Sequence, residues 1–367
     1  MVTSRWQIAA FVLAVLIDPR PCLSSEPVVA PPNEDTGAAD RNQEVFSRLQ
    51  QIWEIQRDEI QTARIETTFF RYLRGTKKTV LPKEAVEELL DQIPLALRDS
   101  GIDGVRDLIK TLPVYDPSDP DKYWKRLAIL VDGIRLRNTI RSLDGSTLIS
   151  DAAFDGDREV QHWNDSKQVN VYGGSHWKKY GLSSIRSVPG FSSSGSAPPL
   201  TVEEGLVRCA HPSGRPSYVF DEESGLRLEY RVDKDIFRQY EPAEYAGGIV
   251  FPTASAQATF DGADTRILRL FLVTDAEFNT ALPDNAFDVG VPADTVVVDY
   301  RGASDRPKTR KMRAPVDDVV ASIDQSTRRP PPPEGPNFRW WIIGMNALLV
   351  AVALGYLAFA RRRRARD

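Results

Sequence analysis

Histidine and cysteine are nearly missing from this chain, with three and two respectively in 367 residues. His162 and His176 each precede a tryptophan, and His211 lies two residues after Cys209. A zinc site needs three or four nitrogen or sulfur ligands at productive spacing, and this cluster supplies two at most. Cys209 and His211 fall on neighbouring positions of an "RCAHPSG" stretch, an unproductive placement for a nucleophile and its base. No G-x-S-x-G, H-E-x-x-H or phosphate-binding glycine loop occurs. The sequence therefore predicts no enzyme, no cofactor and no metal.

Long apolar runs are also scarce, and the two present lie at the ends. Ile8 to Ile17 is a ten-residue run behind Arg5. As a helix it rises about 15 Å, half of what a bilayer core requires. With small residues at Cys22 and Ser24, residues 1–24 read as a cleaved export signal. Trp340 to Ala360 is a 21-residue apolar stretch with Asn346 as its one strongly polar member, followed by "RRRRARD". Its length fits a transmembrane helix, and the basic tail at 361–367 belongs on the cytoplasmic side. The expected location is the cell membrane, single-pass, with the body extracytoplasmic and periplasmic.

Charge follows the same division. The total of −4 includes a net +1 in residues 1–24 and a net +5 in residues 337–367, which leaves −10 for the body. Such a surface repels polyanions, so nucleic acid is excluded as a partner. The body keeps a single cysteine, Cys209, so it has no internal disulfide and must rely on its core. Residues 25–41 read as a disordered tether, and the proline-rich 326–338 as a stiff extended spacer.

Within 42–325 the pattern is helix first and strands afterwards. Asn42 to Gln61 carries Val45, Leu49, Ile52, Ile55 and Ile60 at helical spacing, and "RIETTFFRYLRG" then reads as a strand. A helical insertion at about 76–120 contains "LPKEAVEELLDQI" and "GIDGVRDLIKTL". Beyond Lys122 short alternating runs dominate, with a flexible loop at about 187–199. Asp-Gly recurs at Asp132-Gly133, Asp155-Gly156 and Asp261-Gly262, and between alternating runs it predicts two-residue type I′ hairpin turns. "DAAFDGDREV" looks like a calcium loop but is not one, because Ala153 and His162 stand where ligands are needed. At least nine strands with few helices predict an α+β fold: a large curved antiparallel sheet, an unclosed half-barrel, with the N-terminal helix and the inserted helices packed on it.

The stretches "ARIETTFFRY", "KRLAILVDGIRLR", "SYVFDEESGLRLEYRV", "GGIVFPTASAQATFDGAD" and "FNTALPDNAFDVGVPADTVVVDYR" resemble the LolA/LolB-like lipoprotein-sorting superfamily of the outer membrane. That superfamily also contains the N-terminal domain of RseB. The resemblance spans most of Asn42 to Arg301, with insertions around 76–120 and 174–216, and implies a curved sheet cupping a helical lid around an apolar cavity. The expected function is a membrane-anchored extracytoplasmic binding protein that holds a lipid, an acyl chain or a lipoprotein in the concave face. Phe69, Trp124, Leu136, Leu228 and Tyr230 are the expected wall residues. The alternative is an envelope sensor or scaffold that binds a protein partner; the tail of seven residues after Ala360 leaves little room for a cytoplasmic signalling module.

Overall fold

The computed structural model describes residues 36–74, 80–165, 167–173, 200–210, 217–301, 308–311, 315–316 and 318–320. The expected export signal, proline-rich spacer, membrane helix, basic tail and 187–199 loop lie outside these residues. No helix among the described residues is long and apolar enough to cross a membrane. The chain divides into units 1–312 and 313–367, and every element below belongs to the first.

Helix α1 (Thr36–Glu59) starts six residues ahead of the expected Asn42. Val45, Phe46, Leu49 and Trp53 form its buried stripe, whereas Ile55, expected on it, is 55% exposed. The helix stops at Asn279, whose side chain accepts from Gln61 N–H at 2.7 Å and donates to the Glu59 carbonyl at 2.9 Å. Asn279 has φ +58, a left-handed conformation that asparagine tolerates. Strand β1 (Thr62–Leu73) follows directly. Its alternation sends Ile65 and Phe69 to the side on which α1 lies, and Phe70 and Tyr72 to the opposite side.

Helix α2 (Lys83–Lys110) is the inserted element. Two expected helices are joined in it across a kink at Gly101, where φ is +60 and ψ is −147. Val86, Leu89, Leu90, Ile93 and Leu97 recur every three or four residues and bury one face. That face packs against Phe70, Leu268, Leu270 and the small row Ala254, Ala256 and Ala258. Gly104 allows the two arms to meet closely, since a Cβ there would lie 2.7 Å from the Ala96 carbonyl oxygen.

The remaining strands are β2 (Trp124–Asp132), β3 (Arg135–Arg141), β4 (Leu148–Phe154), β5 (Arg158–Trp163), β6 (Gln168–Gly173), β7 (Leu200–Glu203), β8 (Leu206–Ala210) and β9 (Ser217–Asp221). After them come β10 (Arg227–Val232), β11 (Asp235–Tyr245), β12 (Ile249–Asp261), β13 (Asp264–Phe278), β14 (Val296–Asp299) and β15 (Lys308–Lys311). All fifteen form one sheet in the order β15-β14-β6-β5-β4-β3-β2-β1-β13-β12-β11-β10-β9-β8-β7. The sheet is open, with β15 and β7 at its two edges. Every neighbouring pair is antiparallel except β14 with β6, which is parallel because the chain after β13 crosses the sheet before pairing.

The type I′ expectation needs correction. Asp132 pairs with Arg135 and Asp261 with Asp264, so the two-residue loops are Gly133-Ile134 and Gly262-Ala263. Only the glycine of each has positive φ, +57 and +65, which is the pattern of a type II′ turn. The aspartate closes the ladder instead of entering the turn. At Asp155-Gly156 the Asp155 N–H likewise bonds the Arg158 carbonyl at 3.2 Å across Gly156-Asp157, and the Asp155 carboxylate accepts the N–H groups of Asp157 and Arg158, both at 2.9 Å. Burial alone would raise the Asp155 pKa; the hydrogen bonds from Arg158 and Asp157 and the Arg158 charge outweigh it and hold the carboxyl low.

Two apolar clusters fill the two sides. One joins α1 to residues of β1 to β4 and β7 to β13, and the other joins α2 to β1, β2 and β11 to β13. The crossover before β14 lies on the α2 side, where Arg137 donates to the Ala286 carbonyl at 2.9 Å and its guanidinium grips Asp151 at 2.7 and 2.9 Å.

Candidate functional site

The α1 face of the sheet carries one of the two apolar clusters, and its register orders its side chains. Cross-strand partners on one face of an antiparallel sheet stand side by side. Leu200 pairs with Cys209, Cys209 with Tyr218, Tyr218 with Tyr230, and Tyr230 with Phe237. Phe237 in turn pairs with Gln257, Gln257 with Arg269, and Arg269 with Arg71. One row thus crosses eight strands, aliphatic and aromatic at the β7 end and cationic at the β1 end. Its rings are in contact, with centroids 4.9 Å apart for Tyr218 and Tyr230 and 5.6 Å for Tyr230 and Phe237. Beside the row, Phe69 stacks on Phe271 at 5.7 Å.

Helix α1 lies over the aromatic end. Trp53 meets Phe220 at 5.1 Å and donates its indole N–H to the Gly225 carbonyl at 2.8 Å. Asn42 donates to the Leu200 carbonyl at 3.1 Å, Gln56 to the Ser224 carbonyl at 3.3 Å, and Arg48 pairs with Glu222. The helix therefore combines an apolar underside with a hydrogen-bonded margin. Burying its large apolar side chains is worth roughly 1.5–3 kcal/mol each, so the apolar contacts outweigh an Arg48–Glu222 pair at the surface.

The cationic end is electrostatically unusual. Arg71 and Arg269 face each other as direct cross-strand partners, and Arg269 is only 4% exposed. Their neighbours on this face, Phe69, Leu73, Ile267, Phe271, Gln257 and Ser255, include no acid. Arg269 donates to Gln257 Oε1 at 3.0 Å. Burial, and then the Arg71 charge, push the Arg269 guanidinium down to about 9, and burial lowers Arg71 as well. Arg71 Nε, Gln257 Nε2 and Ser255 Oγ have no hydrogen-bond partner among the described residues.

A pocket of about 470 Å³ adjoins this end. Strand pairing of β2 with β1 ends at Trp124 and Phe70, and one further bond, from Arg71 N–H to the Tyr123 carbonyl at 3.0 Å, closes the edge beside the pocket. Arg71, Tyr72, Val114, Tyr115, Lys122 and Tyr123 are among the lining residues. The Tyr72 side chain, on the α2 side, is 5% exposed, and its hydroxyl has no hydrogen-bond partner among the described residues.

Of the five expected wall residues, Phe69, Leu136 and Tyr230 join the α1-side cluster. Trp124 lies on the opposite side, in the α2 cluster, 5.4 Å from Phe70. This placement follows from register, because Trp124 pairs with Phe70, whose side chain points away from that of Phe69. Leu228 is half-buried at a register shift between β9 and β10. Arg71, Arg269 and Gln257 were not anticipated. Their signal is an arginine on the apolar face of an alternating strand, in "FFRYL" and "ILRLF", which shows only once the register is known.

Other chemistry-bearing groups have structural settings. Cys209 is buried, and burial pushes its thiol up to about 12, so it stays protonated at neutral pH. His176 and His211 lie outside the described residues. Among the described residues no group of three or more histidines, cysteines or carboxylates could hold a metal ion.

No family model and no curated protein matches the sequence. Among solved structures, the chain is similar to a DUF1329 family protein from Desulfovibrio piger at 10% identity, covering 68% of this chain and 97% of that one with a TM-score of 0.36. It is similar to a LolA superfamily protein from Nitrosomonas europaea at 9% identity, covering 67% and 96% with a TM-score of 0.35. It is also similar to a domain from Vibrio parahaemolyticus described as an outer membrane lipoprotein-sorting protein, at 9% identity, 66% and 97% coverage and a TM-score of 0.35.

Proposed function

We propose that this chain is an extracytoplasmic, membrane-anchored binding protein that holds a lipid, an acyl chain or a lipoprotein acyl group on the α1 face of its sheet. The observation that carries the reading is the apolar row from Leu200 to Phe237 beneath a helix fixed mainly by apolar contacts. Such a surface suits an acyl ligand, which gains about 0.8 kcal/mol per methylene removed from water. Helix α1 acts as the cover. It protects the row when no ligand is present and shifts to admit one, and binding is weakened by whatever the shift costs. Anchoring through Trp340 to Ala360 would keep the domain beside the membrane that supplies its ligand.

The test is a binding titration. Full-length protein, stripped of lipid in a neutral detergent, is titrated with a fluorescent fatty acid. Saturable enhancement at one probe per chain is expected, with loss of affinity of about tenfold when Tyr230 is replaced by Ser. Absence of saturable binding by the wild type would overturn the proposal.

A further inference from the structure

The body's charge of −10 is a sum over an uneven chain. Residues 301–313, "RGASDRPKTRKMR", carry Arg301, Arg306, Lys308, Arg310, Lys311 and Arg313 against Asp305, a net +5, which leaves −15 for the rest of the body. Part of this stretch is β15, an edge strand of the sheet, and Lys308, Thr309, Arg310 and Lys311 are all exposed. Alternation sends Lys308 and Arg310 to one face and Lys311 to the other, so cations flank the edge on both sides. Their register partners on β14 are Asp299, Val297 and Val296, and the one carboxylate among these is gripped by Arg301 at 2.8 and 3.1 Å. Tyr300, next to Asp299, is 40% exposed and stacks on Tyr172 at 4.9 Å. An exposed tyrosine beside lysines and arginine is the composition of a bilayer-interface anchor. Acidic groups elsewhere on the body do not cancel this corner, because charge is screened over about 8 Å at physiological ionic strength.

We infer that the β14–β15 corner is a docking surface for an anionic bilayer, with Lys308, Arg310 and Lys311 against lipid phosphates and Tyr300 at the level of the headgroups. This rests on the membrane anchoring proposed above and adds which part of the domain meets the bilayer. The anchor alone selects no face. Trp340 follows Lys311 by 29 residues, a length of chain that spans up to roughly 100 Å when extended. Each lysine or arginine near an anionic surface strengthens attachment about fivefold. Contacts of that strength suffice once the anchor has made the encounter intramolecular. Lysines on an edge strand also block pairing with another sheet, a role that predicts no response to lipid charge.

The test reads the corner itself. Full-length protein carrying Cys22→Ser and Thr309→Cys is labelled with a fluorophore and reconstituted in vesicles of phosphatidylcholine, alone or with roughly one third phosphatidylglycerol. The buried Cys209 resists labelling, and protein without Thr309→Cys gives the background. Quenching by a lipid spin-labelled at its headgroup is expected to be about threefold greater in the anionic vesicles. It should fall to the phosphatidylcholine level in about 0.5 M salt, and likewise when Lys308→Gln and Lys311→Gln are combined. Both lysines are exposed, so their replacement leaves the core untouched. Equal quenching in the two compositions, or anionic quenching that survives the double substitution, would overturn the docking surface and leave the anchor standing. A label response to added polyglutamate in neutral vesicles, with none to phosphatidylglycerol, would overturn it in favour of an acidic protein. Failure of the chain to associate with either vesicle would overturn it together with the anchoring.

Discussion

His162 shows how a buried polar residue sets a pH limit. It lies in β5 directly opposite Asp151, with its Nδ1 unpartnered among buried side-chain atoms. Burial lowers its pKa below 6.5, only partly opposed by the Asp151 charge and a backbone hydrogen bond at Gly290. The ring is thus neutral in the fold, while the unfolded chain takes up a proton as pH drops below about 6.5. Stability from this residue is complete above that value and is lost as pH falls toward the lower folded pKa. Between pH 7.5 and pH 5.5 the wild type should therefore lose stability through this group. Urea midpoints at the two pH values measure it. His162→Gln should flatten the slope, and an unchanged slope would contradict the assignment. Carboxylates held low, such as Glu229, act in a more acidic window. Burial raises Glu229, but hydrogen bonds from Arg231 and Arg238 and their charges outweigh it, so its contribution is lost only below about pH 4.5.

Helix α1 is the element on which the binding account depends, and its attachment can be tested contact by contact. Gly225 has φ +68, and a Cβ there would lie 2.9 Å from Ile52 Cγ2 and 3.3 Å from Trp53 Nε1. Gly225→Ala should therefore cost 1 kcal/mol or more, about the penalty for forcing a side chain into that backbone region. Arg48→Ala removes an ion pair between side chains that are 52% and 26% exposed, and should change stability by less than about 1 kcal/mol. Chemical denaturation of the two variants checks the order, and a larger loss for Arg48→Ala would contradict it. The existence and type of α1, α2, β1 and the β2–β3 hairpin were legible from apolar spacing and turn residues. The turn type was not, because Asp-Gly fits either a central or a flanking position, and only the pairing of Asp132 with Arg135 decides it. Nor could a pattern on one strand show that β14 returns parallel to β6.

At the scale of the whole molecule, the mixed wall of the candidate site is a product of register. Phe69, Leu136 and Tyr230 were legible as apolar positions on strands, but their side of the sheet follows from pairings spread between residues 62 and 278. Trp124 fell on the other side for that reason. The arginine pair was hidden more deeply, since Arg71 and Arg269 are nearly 200 residues apart and look like solvent-facing charges until β1 is set against β13. The apolar row crossing from Leu200 to Phe237 beneath α1 is the feature on which the proposed acyl binding rests. The most direct test is mass spectrometry of organic extracts from full-length protein purified without added lipid. The account predicts a co-purifying lipid near one per chain, depleted in the Tyr230→Ser variant. A wild-type extract without stoichiometric lipid, from protein that also fails to take up fatty acid, would contradict it.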